Sequence, residues 1–285
     1  MIKDNISTSI FFLFCSIFLI FYFLGFDKIL FNNIEWLYGS GDLTNAQLSW
    51  EYFFNDIWRF PLGKNPNYGL EISNSIIFTD NIPLFAILFK IFKPFITGDF
   101  QYFGIWVLLC FFLQLLFSFL ILNKIIKNNF FSIISSLFFL LVPFLLFRIS
   151  NHFSLGAHWL ILYAFYVNYF IDSTKKNLHW YFLIFLSLLI HLYFTVIIFV
   201  IFFCSLFENK LKKVKFRHVF LDISLKLFFS FLLMYFVGYF ESSPINSVSS
   251  GYGIFKIDLL SFFDPKLDGQ LISWSIFLKD LPGTN

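Results

Sequence analysis

Residues 178–207 read LHWYFLIFLSLLIHLYFTVIIFVIFFCSLF, and the number of times they cross a bilayer sets the topology of the whole chain. A helix spans the hydrocarbon core with about 20 apolar residues, so this run is either one long helix or a hairpin of two short ones. The cluster His191-Leu192-Tyr193 interrupts it near the middle. Flanking charge decides the matter. Residues 172–177 carry Lys175 and Lys176, and 208–218 carry Lys210, Lys212, Lys213, Lys215 and Arg217. Loops rich in Lys and Arg stay cytoplasmic, and these two share a side only if 178–207 crosses twice. The run is therefore read as 178–190 and 193–207, turning at His191 on the outer face.

Outward from this hairpin, apolar runs at 9–26, 100–122, 130–147, 157–171 and 219–238 bring the expectation to seven crossings in one transmembrane domain covering 1–285. Lys124 and Lys127 put the 123–129 loop on the cytoplasmic side as well. The outer side then holds loop 27–99, the 148–156 segment, the His191 turn and loop 239–285. The chain stops in mid-loop, so it is expected to be the N-terminal part of a longer protein. Composition agrees with an all-α integral membrane class: 59% of residues are hydrophobic, 13% are charged, and mean hydropathy is +0.78. Forty-nine Phe residues look like an AT-rich coding bias. The net charge of +3 is modest and its basic residues sit in short loops, which argues against nucleic-acid binding.

Cys15, Cys110 and Cys204 lie in apolar runs without metal-ligand or disulfide spacing. The first run follows Lys3 and lacks a small-residue cleavage site, so it reads as a signal anchor. In the outer loop, residues 45–58 have the spacing of an amphipathic helix on the membrane surface, with Thr44 as its cap. Residues 82–92 are apolar but too short for a crossing, and read as interfacial or re-entrant. The polar stretch 39–84 between them carries Asp42, Glu51, Asp56, Glu71 and Asp80 among Trp50, Trp58, Tyr52 and Tyr68. Asp56 reads as a surface charge paired locally.

Three groups of residues carry a resemblance. They are Gly41-Asp42; Trp58-x-Phe60-Pro61-Leu62-Gly63-x-Asn65-Pro66-x-Tyr68-Gly69-x-Glu71; and Ser75-Ile76-x-Phe78-x-Asp80-x-Ile82-Pro83-Leu84. With Gln101-Tyr102-Phe103-Gly104, Leu155-Gly156-Ala157-His158-Trp159-Leu160, Gly251-Tyr252-Gly253 and Asp264-Pro265, the chain resembles a bacterial family of uncharacterised multipass membrane proteins that look like GT-C fold glycosyltransferases. The resemblance implies a GT-C-like multipass helical bundle in the bacterial inner membrane, with a large outer loop carrying interfacial helices. It also implies transfer of a sugar from a polyprenyl-phosphate carrier to an extracytoplasmic glycan, lipid or protein acceptor. A loop carboxylate after the first helix is usually essential in such enzymes, and Asp42 matches that position.

Inverting glycosyl transfer needs a carboxylate to take the proton of the acceptor hydroxyl. Asp42 is the candidate base; the alternative is that it merely turns or caps the chain. Glu71 and Asp80 are secondary carboxylates that could orient an acceptor or hold a divalent cation, although their spacing fits no defined metal loop. Arg148 and His152 suit the leaving lipid phosphate, with snorkelling of Arg148 to the headgroups as the competing account. His152 and His158, six apart, fall on different helical faces and do not suit a shared metal. His191, deep in an apolar run, is a candidate cavity residue or a satisfied structural histidine. Tyr68 and Tyr252, with Trp50 and Trp58, could stack on sugar rings, while an interfacial aromatic belt explains them equally. A transporter or flippase of lipid-linked saccharide is the alternative function, and a structural envelope protein is a third.

Overall fold

The computed structural model describes residues 2–39, 41–68, 75–210 and 216–241. They form α1 (Ile2–Phe23), α2 (Gly41–Asn55), α3 (Pro83–Ile91), α4 (Phe103–Ile126), α5 (Asn129–Leu140), α6 (Pro143–Asn151), α7 (Trp159–Phe170), α8 (Ser173–Leu188), α9 (Leu192–Lys210) and α10 (Phe216–Val237), joined by short 3-10 turns. Among the described residues the β pairing is a single bridge between Lys64 and Ser75.

Helix α4 is the central post, packed by α1, α5 and α7. Its buried side chains Phe103, Trp106, Val107, Cys110, Phe111, Gln114, Leu115 and Ser118 recur at helical spacing. Gln101 starts it by accepting from the Gly104 N–H at 3.0 Å, and donates to the carbonyls of Lys28 (2.9 Å) and Leu30 (2.7 Å). The 3-10 turn that follows α1 is thereby tied to the start of α4. Gly104 is required there, because a Cβ would lie 1.9 Å from the Lys28 carbonyl oxygen. At the other end Lys127, at φ 57, closes α4, and Asn128 caps α5 by accepting from the Phe131 N–H.

Helix α4 and residues Val219–Val237 of α10 are long and apolar enough to cross a membrane. The α5–α6 pair qualifies as a third span only if its 50° bend is allowed. That bend revises the reading of 130–147 as one uninterrupted run. Pro143 lacks an N–H and clashes with the preceding turn, so α5 ends at Leu140 and a new helix begins with Pro143 in its first turn. Many large apolar side chains face outward, among them Phe138, Phe144, Phe147, Phe228 and Phe231, a surface suited to hydrocarbon and costly in water.

Residues 178–207 form two helices rather than one, with Leu189, Ile190 and His191 between α8 and α9. The two pack on each other and on α7, and α10 packs on α8. Residues 82–92 hold α3, nine residues long. The surface helix of the first long loop begins earlier than its spacing suggested: α2 starts at Gly41, so Thr44 lies inside it and donates to the Leu37 carbonyl (3.1 Å) instead of capping. Asp42 takes the first turn, where a carboxylate faces the positive end of the helix dipole. Trp50 is neither belt nor sugar platform. It is fully buried, donates to the Phe100 carbonyl (2.9 Å) and packs edge-on against Tyr102.

Contacts gather the loops at one end of the helices. Leu84 N donates to the Leu189 carbonyl at 2.7 Å, Trp106 Nε1 to that of Phe153 at 2.7 Å, and the Tyr239 hydroxyl to that of Leu188 at 2.5 Å. The end of α10 is clipped to the first loop by Leu62 N on Phe236 O (2.8 Å), Gly63 N on Val237 O (2.9 Å) and a Lys64–Glu241 ion pair at 3.2 Å.

Candidate functional site

At this end lies a cavity of about 520 Å³. Its polar lining includes Asp42, Asp80, Arg148, His152 and His191, drawn from α2, the 77–83 segment, the end of α6 and the α8–α9 turn.

Asp42 is 61% exposed, and its Oδ2 lies 3.7 Å from His152 Nε2. His152 terminates α6, its backbone N–H donating to the Arg148 carbonyl at 2.7 Å. Arg148, one turn earlier, lays its guanidinium over the Phe144 ring at 5.1 Å. A cation and an imidazole thus reach the cavity from the last turn of one short helix, because Pro143 re-aims the chain before them.

Asp80 is held quite differently. Its Oδ1 accepts from the backbone N–H (3.2 Å) and the hydroxyl of Ser154, while Oδ2 has no hydrogen-bond partner among the described residues. Burial raises its pKa to about 6, although the Ser154 bonds and the charge of His152 pull the other way. The backbone beneath it is unusual: Asp80 has φ 57 and Ile82 has φ 47. Asp tolerates the left-handed region, but for a β-branched residue it stores roughly 1–3 kcal/mol. Surrounding bonds enforce it. Asn81 Nδ2 donates to the Ser49 and Thr79 hydroxyls, each at 2.8 Å, and the Tyr102 hydroxyl donates to the Asn81 carbonyl.

His191 lies in the turn, its Nδ1 accepting from the Tyr193 N–H at 3.1 Å. Burial, aided by the nearby His152, lowers its pKa to about 4, so it is neutral at physiological pH. His158 does not line the cavity; it stacks on Phe144 at 5.2 Å, backing the ring that carries Arg148. Tyr68 reaches the rim indirectly, donating its hydroxyl to Asn45 Oδ1, and Asn45 lines the cavity. Trp58 remains 46% exposed beside Lys90. Glu71 and Tyr252 lie outside the described residues. Asp56 does pair locally, with Arg59 Nε at 2.7 Å.

Sequence reasoning overlooked Ser154, Thr79, Asn45 and Tyr239. Ser154 lies two residues after His152, opening the 3-10 turn that follows α6, a position where hydroxyls often bond locally, but its long-range partner had no local signal. No group of three His, Cys, Asp or Glu side chains suited to a metal occurs among the described residues.

Apolar helices able to span a membrane, closing at one end on a cavity that mixes carboxylate, imidazole and guanidinium, define a helical membrane-associated protein with a polar end-cavity. The chain belongs to the DUF6311 family, a domain of unknown function matched over residues 13–285. No curated protein and no solved structure matches it.

Proposed function

We propose that the chain is a GT-C-like membrane glycosyltransferase that moves a sugar from a polyprenyl-phosphate carrier to an extracytoplasmic acceptor. One observation carries the reading: a single cavity holds two carboxylates able to accept a proton, the Arg148 guanidinium, and the His152 imidazole 3.7 Å from Asp42, the groups a leaving phosphate needs. Arg148 and His152 would meet the phosphate. Asp42 is the carboxylate that the sequence nominates as base, and the cavity adds Asp80. On this reading α2 and α3 are the interfacial helices of the outer loop, and the cavity opens at the outer face of the bacterial inner membrane.

The test uses the full-length protein. Undecaprenyl phosphate should bind the purified wild type, seen by native mass spectrometry, and Arg148→Ala with His152→Ala should weaken it together. A wild type that neither binds this probe nor transfers sugar from undecaprenyl-phosphate-linked glucose ends the proposal.

A flippase of lipid-linked saccharide is the second reading, favoured by one feature. Lys226, wholly buried in α10, donates to Asn177 Oδ1 (2.5 Å) and to Asp222, an ionisable pair of the kind that marks transport pathways. Movement of labelled carrier between leaflets without glycosidic bond formation would support it over transfer.

A further inference from the structure

The two cavity carboxylates differ in how much of each is left for chemistry. Asp42 stands 61% exposed at a helix start, with His152 3.7 Å away as its neighbour. Asp80 is buried, one of its oxygens is anchored by both donors of Ser154, and the other is unpartnered among the described residues. Buried polar atoms are nearly always satisfied, so an orphaned carboxylate oxygen beside a cavity points to a partner supplied from that cavity. The left-handed backbone at Asp80 and Ile82, held by the bonds among Asn81, Ser49, Thr79 and Tyr102, fixes its direction.

Resting on the glycosyl-transfer reading, we infer that Asp80 is the catalytic residue that takes the acceptor proton, and that Asp42 is a positioning residue that holds His152 toward the donor phosphate. In the step, the acceptor O–H breaks and its proton passes to Asp80 Oδ2. The oxygen forms the new bond to the anomeric carbon, the bond from that carbon to the phosphate oxygen breaks, and its electron pair leaves with the polyprenyl phosphate. Arg148 and His152 meet that charge. The titratable groups around Asp80 suit this division. Asp42, Arg148, His152, His191, Tyr193 and Tyr239 line the same cavity, Tyr102 lies behind the Asn81 carbonyl, and His191 is held neutral. A base near pH 6 is matched to work at neutral pH, where it is ionised yet keeps proton affinity.

The experiment compares full-length wild type, Asp80→Asn, Asp80→Glu and Asp42→Asn in membranes containing endogenous acceptors, with undecaprenyl-phosphate-linked [14C]glucose as donor and undecaprenyl phosphate as the binding probe. Asn at position 80 still accepts from Ser154 and tolerates the left-handed backbone, so helicity and elution should be unchanged. The expected result is a fall in kcat of about 100-fold or more for Asp80→Asn with probe binding intact, and partial recovery in Asp80→Glu. For Asp42→Asn a raised KM is expected, with kcat within about tenfold of wild type and the acid limb of the pH profile near 6 retained. Independently of turnover, infrared titration of the wild type should show a protonated carboxyl band lost near pH 6, absent in Asp80→Asn and present in Asp42→Asn. If Asp80→Asn keeps kcat while Asp42→Asn abolishes it together with the acid limb, Asp42 is the base and only this inference falls. If the wild type binds no undecaprenyl phosphate, or binds and flips it without transfer, the functional reading itself falls and takes the inference with it.

Discussion

Gly63→Ala tests whether the first loop and the end of α10 are clipped together as described. An added Cβ would lie 2.4 Å from the Val237 carbonyl oxygen and 3.1 Å from Ile76 Cγ1. The obstructing oxygen is backbone, and it is the acceptor for Gly63's own N–H at 2.9 Å, beside the Leu62–Phe236 bond at 2.8 Å. Restoring van der Waals separation requires a retreat of roughly 1 Å, which takes both bonds past useful geometry. Two hydrogen bonds contribute about 1 kcal/mol each and overpacking costs roughly 1–3 kcal/mol more. Stiffening of the unfolded chain by Ala offsets less than about 1 kcal/mol. The net loss of about 3 kcal/mol corresponds to a fall in Tm of roughly 6–12 °C for a domain of this size. Fluorescence-detected size-exclusion after a heating series in detergent would read it, with Gly39→Ala as control, since a Cβ there meets nothing within 4 Å. Tyr239 lines the cavity just beyond the clip, so probe binding should weaken in parallel. A Gly63→Ala protein within about 1 °C of the Gly39→Ala control would refute the clip.

Trp50→Ala should destabilise by about 3–5 kcal/mol, because it empties a fully buried ring site and frees the Phe100 carbonyl; a thermal series as above measures it. Asp222→Asn should lower Tm more than Lys226→Met, since the first leaves a fully buried ammonium against the rings of Tyr181 and Phe202 while the second leaves a carboxylate that is 25% exposed. Protonation should be visible as opposing slopes. Asp80, raised from 3.8 to about 6, favours the folded state at low pH by up to about 3 kcal/mol, and that contribution is lost as pH rises through the window from 3.8 to 6. His191, lowered from 6.5 to about 4, has its full contribution above 6.5 and loses it as pH falls toward 4. Relative to wild type, Asp80→Asn should therefore become less stable on acidification from pH 6.5 to 4 and His191→Gln more stable, and parallel curves for the two would contradict both burial assignments.

Much of the architecture was legible because helices report themselves locally. The short apolar α3 and the run of α4 follow from hydropathy and length, and the break at His191 from these together with the flanking Lys and Arg. The bend at Pro143 was equally present in the chain, and was missed because a hydropathy window averages across proline, whereas a backbone without an N–H cannot. The start of α2 was misjudged for a related reason: Thr44 is a good cap by type, but its hydroxyl found the Leu37 carbonyl across a tertiary contact.

By itself the sequence determined that the chain is helical and apolar, with five of its seventeen acids between residues 39 and 84, because those properties are sums over neighbours along the chain. It also nominated Asp42, Asp80, Arg148, His152 and His191, which one cavity contains. It put Asp42 first and Asp80 second, without access to their burial. Whether a carboxylate is a solvated helix start or a buried group with one oxygen unanswered depends on Ser154 and Tyr102 arriving from other segments. Burial and partnering are properties of the packed chain, and they alone separate Asp80 from Asp42 and place Trp50 in the core.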